Sequence, residues 1–262
     1  MSARPTAGAP DRDASHVFTA PPPPTVASRL WFAWVAVVSV VCCSLFSPPL
    51  VLHSAFRPTA RTFLSWMRPW SRTVLWLCGI RSRLVVRAPL PEGPVVFVAN
   101  HQNSADVLMT SARMPRPFLY VARHELRTWP IVGWVLEKTA CVFIDRSSAR
   151  RAIETLRVAG ERIRGGESVL LFPEGGRSYT HHTEAFMRGS FMLALEAGVP
   201  VVPVALVGNV GVLDERGRRA RRGETRIVIG AAVPTEGLTR ADAGALAEQM
   251  RAAIEAELSV YG

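Results

Sequence analysis

One histidine and one carboxylate stand five positions apart in Asn100-His101-Gln102-Asn103-Ser104-Ala105-Asp106, directly after the apolar run VVFVA (95–99). In a continuous helix, positions five apart point about 140° away from each other, so His101 and Asp106 would not meet. If His101 lies in a loop and Asn103 or Ser104 starts a helix, the chain folds back. Asp106, in the first turn, can then accept a hydrogen bond from one imidazole nitrogen, leaving the other basic. The pair has no serine or cysteine nucleophile of its own. The chemistry it suits is removal of a proton from a substrate hydroxyl. A structural loop histidine with a capping partner has the same spacing, and spacing alone does not separate the two.

A second stretch, Phe172-Pro173-Glu174-Gly175-Gly176-Arg177-Ser178, closes another apolar run, SVLLFP (168–173). Proline and two glycines shape a tight loop with exposed backbone N–H groups. Arg177 offers a planar fork suited to a phosphate. Glu174 could fix that arginine or contact a glycerol hydroxyl. The alternative is a plain strand-to-helix turn with a surface ion pair.

Other chemistries find less support. Cys42, Cys43, Cys78 and Cys141 form no C-x-x-C pair and no His/Cys ligand spacing, so neither a disulfide scaffold nor a metal site is expected. They read as free thiols of a reducing compartment. His181 and His182 are adjacent, so their side chains diverge, and they read as loop residues. No G-x-S-x-G occurs; Ser190 has Arg188 and Met192 where the glycines would stand. The net charge of +10, nearly all arginine, asks for anionic partners. The run RGRRARRG (216–223) fits anionic lipid, an acidic carrier protein or a merely solvated, mobile loop. No aromatic-basic recognition module accompanies it, so no nucleic-acid partner is expected.

The elements that must position these residues follow from periodicity. Short β-branched runs at 95–99, 118–122, 141–145, 168–173, 199–206 and 225–230 alternate with helical patterns at 148–164, 185–197 and 240–258. Gly198 suits a helix C-cap, and Thr239 with Asp242 a capping box. This predicts an α/β domain with a mixed, largely parallel sheet flanked by helices over residues 81–262. Residues 1–28, rich in Pro, Ala, Ser and Thr, read as a disordered tail. Residues 29–80 read as a membrane anchor with interfacial helices. The uncharged run 30–46 would make a helix about 25 Å long, and residues 47–52, with a proline kink, would extend it to a bilayer core of about 30 Å. A retained anchor is expected rather than a cleaved signal peptide, because no A-x-A site follows. In 57–79 arginines interleave with tryptophans, as in a headgroup layer. Arg57, Arg61, Arg68 and Arg72 after the anchor outnumber Arg4, Arg12 and Arg29 before it, which places the main domain on the cytoplasmic face of the inner membrane.

Taken together, the two loops resemble the glycerophospholipid acyltransferase family, the lysophosphatidate acyltransferases and their relatives, across roughly residues 84–230. NHQNSAD looks like the family's N-H-x-x-x-x-D block. Residues 123–146 look like the second block, through Glu125, Leu126, Pro130, Gly133 and Phe143-Ile144-Asp145-Arg146. FPEGGRS looks like the third. Residues 186–204 look like the fourth, through Phe186, Arg188, Gly189, Ala197-Gly198-Val199-Pro200 and Val202-Pro203-Val204. Gly176 stands where the family usually has Thr, Arg123 where it has Lys, and Ala140 where it has Gly. The resemblance implies that His101 deprotonates an acceptor hydroxyl while Asp106 holds the imidazolium. The hydroxyl attacks the thioester of an acyl-CoA or acyl carrier protein directly. Arg177, with Arg146 and Arg123, would meet the acceptor's phosphate, and Glu174 and Gly175 would shape its site. It implies no cofactor beyond the thioester co-substrate. The implied acceptor is a membrane lysophospholipid, 1-acylglycerol 3-phosphate first. A lyso-ornithine lipid or another membrane acceptor is the nearest alternative, and a non-catalytic lipid-binding protein on the same fold is the rival of a different class.

Overall fold

A computed structural model of the chain describes residues 17–57, 59–128, 133, 136, 141–144 and 149–261; the side chains of 123, 144, 149–154 and 156 stand outside the description. The apolar runs become strands β1 (Ile80–Val86), β2 (Val96–Ala99), β3 (Phe118–Arg123), β4 (Val142–Ile144), β5 (Ser168–Leu171), β6 (Val201–Val207) and β9 (Gly223–Ile229), with a small hairpin of β7 (Leu213–Asp214) and β8 (Arg219–Ala220) between the last two. Among the described residues the main sheet has seven strands in the order β1-β9-β6-β2-β5-β3-β4. Neighbours run parallel except β6 and β9, which pair antiparallel with Val207 opposite Arg226. The expected mixed, largely parallel sheet is therefore what the chain forms.

Helices cover both faces, and β2, β5 and β6 are accordingly buried along their whole length. On one face Val96, Val98, Leu119 and Val169 pack with Ile163 of α4 (Ala149–Arg164), Leu193 of α5 (Met192–Ala197) and the stripe Leu246, Met250, Ile254 and Leu258 of α7 (Ala243–Ser259). On the other, Phe97, Phe118, Leu170 and Ile227 pack with Met109 of α3 (Ala105–Arg113) and Phe63 and Leu64 of α2 (Ala60–Leu77). The caps fall where expected. Thr239 and Asp242 form a capping box ahead of α7, and Gly198 ends α5 at φ +66°. The helix expected over 185–197 is shorter, because Arg188–Ser190 form a 3-10 turn before α5.

The N-terminal third departs from expectation in three places. The tail expected over 1–28 makes contacts with the domain in its described part, residues 17–28, although most of these residues are exposed. Val17 bridges to Glu224, Arg221 lies 3.7 Å from the Phe18 ring centroid and donates to the Ala20 carbonyl at 2.7 Å. Helix α1 (Val26–Phe56) starts inside the stretch assigned to the tail, on a Thr25 cap, and runs through Pro48 and Pro49. It is long and apolar enough to cross a membrane by length and composition, yet one side is docked. Trp34 donates to the Leu77 carbonyl at 3.0 Å, and Trp66 donates to His53 at 3.0 Å. In α2, Arg68 and Arg72 donate to the Met114 and Ala112 carbonyls at 2.7 and 3.2 Å. Those two arginines thus complete the end of α3, where unpaired carbonyls attract cations, rather than facing a headgroup layer. Strand β1, from Ile80 to Val86, is not among the expected runs. It is an edge strand, whose exposed Arg81 and Arg83 disguise it.

Candidate active site

The site is assembled at the carboxyl ends of β2, β5 and β6, where an open α/β sheet leaves its crevice. Asn100 ends β2 by continuing its ladder with a side chain. Its amide donates to the Leu206 carbonyl at 3.0 Å and accepts from the Leu206 N–H at 2.7 Å. The backbone is thereby released into a loop one residue later, at His101.

The loop turns back as the spacing required. His101 Nδ1 lies 2.6 Å from Asp106 Oδ2, and Asp106 is fully buried in the first turn of α3. The same oxygen accepts the Gln102 and Asn103 N–H groups at 2.6 and 3.0 Å, and Asn209 donates to Oδ1. Asn103, not Ser104, supplies the side-chain cap, accepting the Ala105 N–H at 2.9 Å. The Gln102, Asn103 and Asn209 groups all donate, so Asp106 acts as the acceptor that gathers the loop around it. That carboxylate fixes Nδ1 as the protonated imidazole nitrogen and leaves Nε2 to take up a proton. The imidazole stacks on Phe172, ring centroids 4.1 Å apart, which holds its plane.

The FPEGGRS loop is fastened to the histidine loop along its backbone. Ser178 N–H donates to the His101 carbonyl at 2.8 Å and Tyr179 N–H to the Gln102 carbonyl at 3.2 Å. Gly175 sits at φ +72°, a conformation that excludes most side chains. Glu174 does not fix Arg177. Its two oxygens accept the His101 and Glu184 N–H groups at 2.6 and 2.9 Å. Burial pushes its carboxyl up to about 7, although both N–H donors work the other way. The partner of Arg177 is Glu215, at 2.7 Å. Burial opposes the arginine's charge, and the Glu215 carboxylate more than restores it, raising the guanidinium. Arg123 closes β3 at the same sheet edge, with its side chain outside the described residues; Arg146 lies outside them altogether.

Sequence reasoning missed three contributors: Phe172 as the platform for the imidazole, Asn209 beneath Asp106, and Glu215 against Arg177. It also left the basic run open between anionic lipid, an acidic carrier protein and a solvated loop. Four of its five arginines contact the domain, although Arg216 and Arg222 themselves stay exposed. Arg216 lies over the Tyr179 ring at 4.2 Å, Arg219 pairs with Asp214, Arg221 donates to the Gly211 carbonyl at 2.6 Å, and Arg222 covers Trp31 at 4.6 Å. His181 and His182 lie in a loop, with His182 largely exposed. His181 Nε2 lies 3.1 Å from the Leu258 carbonyl, and His182 Nδ1 lies 3.7 Å from Glu255. The four cysteines are free, Cys42 and Cys78 buried and Cys43 and Cys141 partly so.

With this geometry in place, likeness to known proteins becomes informative. The family model described as acyltransferase matches residues 82–207. A lyso-ornithine lipid O-acyltransferase of Pseudomonas aeruginosa is 33% identical over 193 residues, which cover 68% of this chain and 72% of that protein. This chain belongs to the O-acyltransferase family of the lysophosphatidate acyltransferase type. A 1-acyl-sn-glycerol-3-phosphate acyltransferase of Chlamydomonas reinhardtii is 31% identical over 217 residues, 78% of this chain and 62% of the algal protein. In three dimensions the fold matches the crystal structure of the 1-acyl-sn-glycerophosphate acyltransferase of Thermotoga maritima, with a TM-score of 0.72 and 21% identity over 90% of this chain and 97% of that one. The matched acyltransferase stretch holds His101, Asp106, Glu174 and Arg177 but ends before Asn209 and Glu215.

Proposed function

We propose that the chain transfers a fatty acyl group from an acyl thioester to the hydroxyl of a lysophospholipid, with 1-acylglycerol 3-phosphate as the leading acceptor and phosphatidate as the product. The observation that carries this is the His101–Asp106 contact at 2.6 Å around a fully buried carboxylate. His101 Nε2 takes the proton as the acceptor oxygen bonds to the thioester carbonyl carbon. The tetrahedral adduct collapses, the C–S bond breaks, and the proton passes from His101 to the leaving thiolate. No acyl-enzyme forms. General-base help of this kind is worth about 10²- to 10⁴-fold. Arg177, tied to the base through Ser178, meets the acceptor's phosphate; Arg123 and Arg146 add positive charge. Acyl-CoA and acyl carrier protein are both suitable donors. The likeness to a lyso-ornithine lipid O-acyltransferase, together with Gly176 in place of a hydroxyl-bearing residue, supports a second reading in which a less anionic lipid is the acceptor.

The reaction takes place at a membrane surface. Leu30, Val37, Val41, Leu45, Leu52 and Phe56 form an exposed apolar stripe along α1, while Val35, Val38, Cys42 and Leu50 hold its other side to the domain. That arrangement favours a helix lying in one leaflet of the cytoplasmic membrane over one that crosses it. Assaying the full chain against a panel of lysolipids, with acyl-CoA and with acyl carrier protein, tests the proposal. Absence of turnover alongside tight lipid binding would favour a binding protein instead.

A further inference from the structure

We propose that Glu215 sets which acceptor headgroups this acyltransferase takes. As the counter-charge of Arg177 it weakens the hold on a phosphate-monoester dianion, and so widens the acceptor range to zwitterionic and uncharged headgroups. This rests on the reading above that Arg177 meets the acceptor's phosphate.

Glu215 sits in the hairpin between β7 and β8, which is closed on itself. Asp214 accepts from Arg219 Nε at 2.9 Å and from the Gly217 N–H at 2.8 Å. The hairpin is also fastened to both catalytic loops. Asn103 donates to the Leu213 carbonyl at 2.7 Å, Ser104 N–H donates to one oxygen of Glu215 at 3.3 Å, and Arg177 Nη1 donates to the other at 2.7 Å. Arg216 lies on the Tyr179 ring two residues beyond Arg177. The pair is shielded, with side-chain exposures of 33% for Arg177 and 19% for Glu215. It is therefore a built part of the site and not a stray surface contact. The other nearby carboxylate, Glu174, is engaged by two backbone N–H groups, so it neither neutralises nor frees Arg177.

An incoming dianion must displace Glu215 from Arg177 or settle beside it. A headgroup without net negative charge meets no such cost. Even at the dielectric constant of water, one unit charge at about 4 Å shifts an equilibrium roughly fivefold, and a drier site shifts it more.

The test measures KM for 1-acylglycerol 3-phosphate and for 1-acylglycerophosphocholine, using the full chain in mixed micelles with a saturating acyl-CoA. We expect E215Q, which keeps a hydrogen-bonding side chain of the same shape, to lower KM for the phosphate acceptor about fivefold or more. The choline acceptor's KM should stay within about twofold, and E215D, which keeps the charge, should retain the wild-type ratio. An unmoved ratio in E215Q overturns the proposal, as does a raised KM for the phosphate acceptor, which would make Glu215 a mere holder of Arg177. A shift in E215D equal to that in E215Q also overturns it, since charge would not be the cause. R177Q separates the two levels. If it leaves the phosphate acceptor's KM unchanged, Arg177 is not the phosphate site, and the functional reading falls with this one. If R177Q raises that KM while E215Q does nothing, only the role of Glu215 fails.

Discussion

At the scale of single residues, the proposed mechanism divides its labour between a base, His101, and a fully buried anchor, Asp106. The His101 imidazole is held by Asp106 and stacked on Phe172, while its bonds to Glu174 and Ser178 run through the backbone, so His101→Ala should lower kcat about 10²- to 10⁴-fold with only a modest change in melting temperature. Asp106 accepts from Gln102, Asn103, His101 and Asn209. Asp106→Asn should therefore lower kcat comparably and also destabilise the fold by about 1–3 kcal/mol, because a buried donor is left facing donors. Full activity in either variant would refute the general-base assignment. Glu174 predicts a pH effect of definite sign. Its folded-state value, about 7, lies above its ordinary one of 4.5. Its contribution to stability is thus fully present below pH 4.5 and is lost as pH rises through 7. In Glu174→Gln that loss should vanish. Melting curves across pH 4 to 9 should show the wild type declining relative to the variant between pH 4.5 and 7, and a constant difference above that window.

At the scale of elements, the strand ends and turns decide where these residues land. Gly208 precedes α6 (Asn209–Val212) at φ +86°, which swings Asn209 back beneath Asp106. A Cβ there would come within 2.7 Å of Val17 and 3.0 Å of the Glu224 carbonyl. Gly208→Ala should cost at least ~1–2 kcal/mol and reduce kcat along with it; lost stability at unchanged kcat would separate Asn209 from the chemistry. Gly176 is the contrary case, since a Cβ there meets nothing within 4 Å. Gly176→Thr should fold with an unaltered melting temperature, so any change in acceptor KM would report the added hydroxyl. Much of this layer was legible in advance. The β-branched runs, the Thr239–Asp242 cap and the loop-then-helix turn of NHQNSAD each follow from local chemistry, because local hydrogen bonds and periodicity create them. What stayed hidden depends on contacts across more than 35 residues. Asn209 looks like any polar residue after a strand until it is seen 103 positions away from Asp106 in sequence and bonded to it. Arg177 suggested Glu174 as a partner because Glu174 is near in sequence, whereas the sheet brings Glu215. Strand β1 stayed hidden because an edge strand needs only one apolar face.

At the scale of the whole molecule, an exposed apolar stripe, a docked helix and a site at one sheet edge must share a single orientation on a membrane. Replacing Leu30, Val37 and Leu45 together with glutamate should abolish co-sedimentation with phospholipid vesicles while leaving the melting temperature nearly unchanged, since none of the three is buried. Retained vesicle binding would place the contact elsewhere. The docking of the N-terminal segment has a temporal consequence. Ala20 is bonded to Arg221, 201 positions later, and Trp31 is covered by Arg222. At about 5–20 residues per second of synthesis, α1 leaves the ribosome roughly 10–40 s before these partners exist. Through that interval α2 already offers partners to its docking face, while the outer stripe stays bare and a lipid surface is an apolar partner for it. On the membrane-surface reading proposed above, attachment of the nascent chain would come before closure of the sheet.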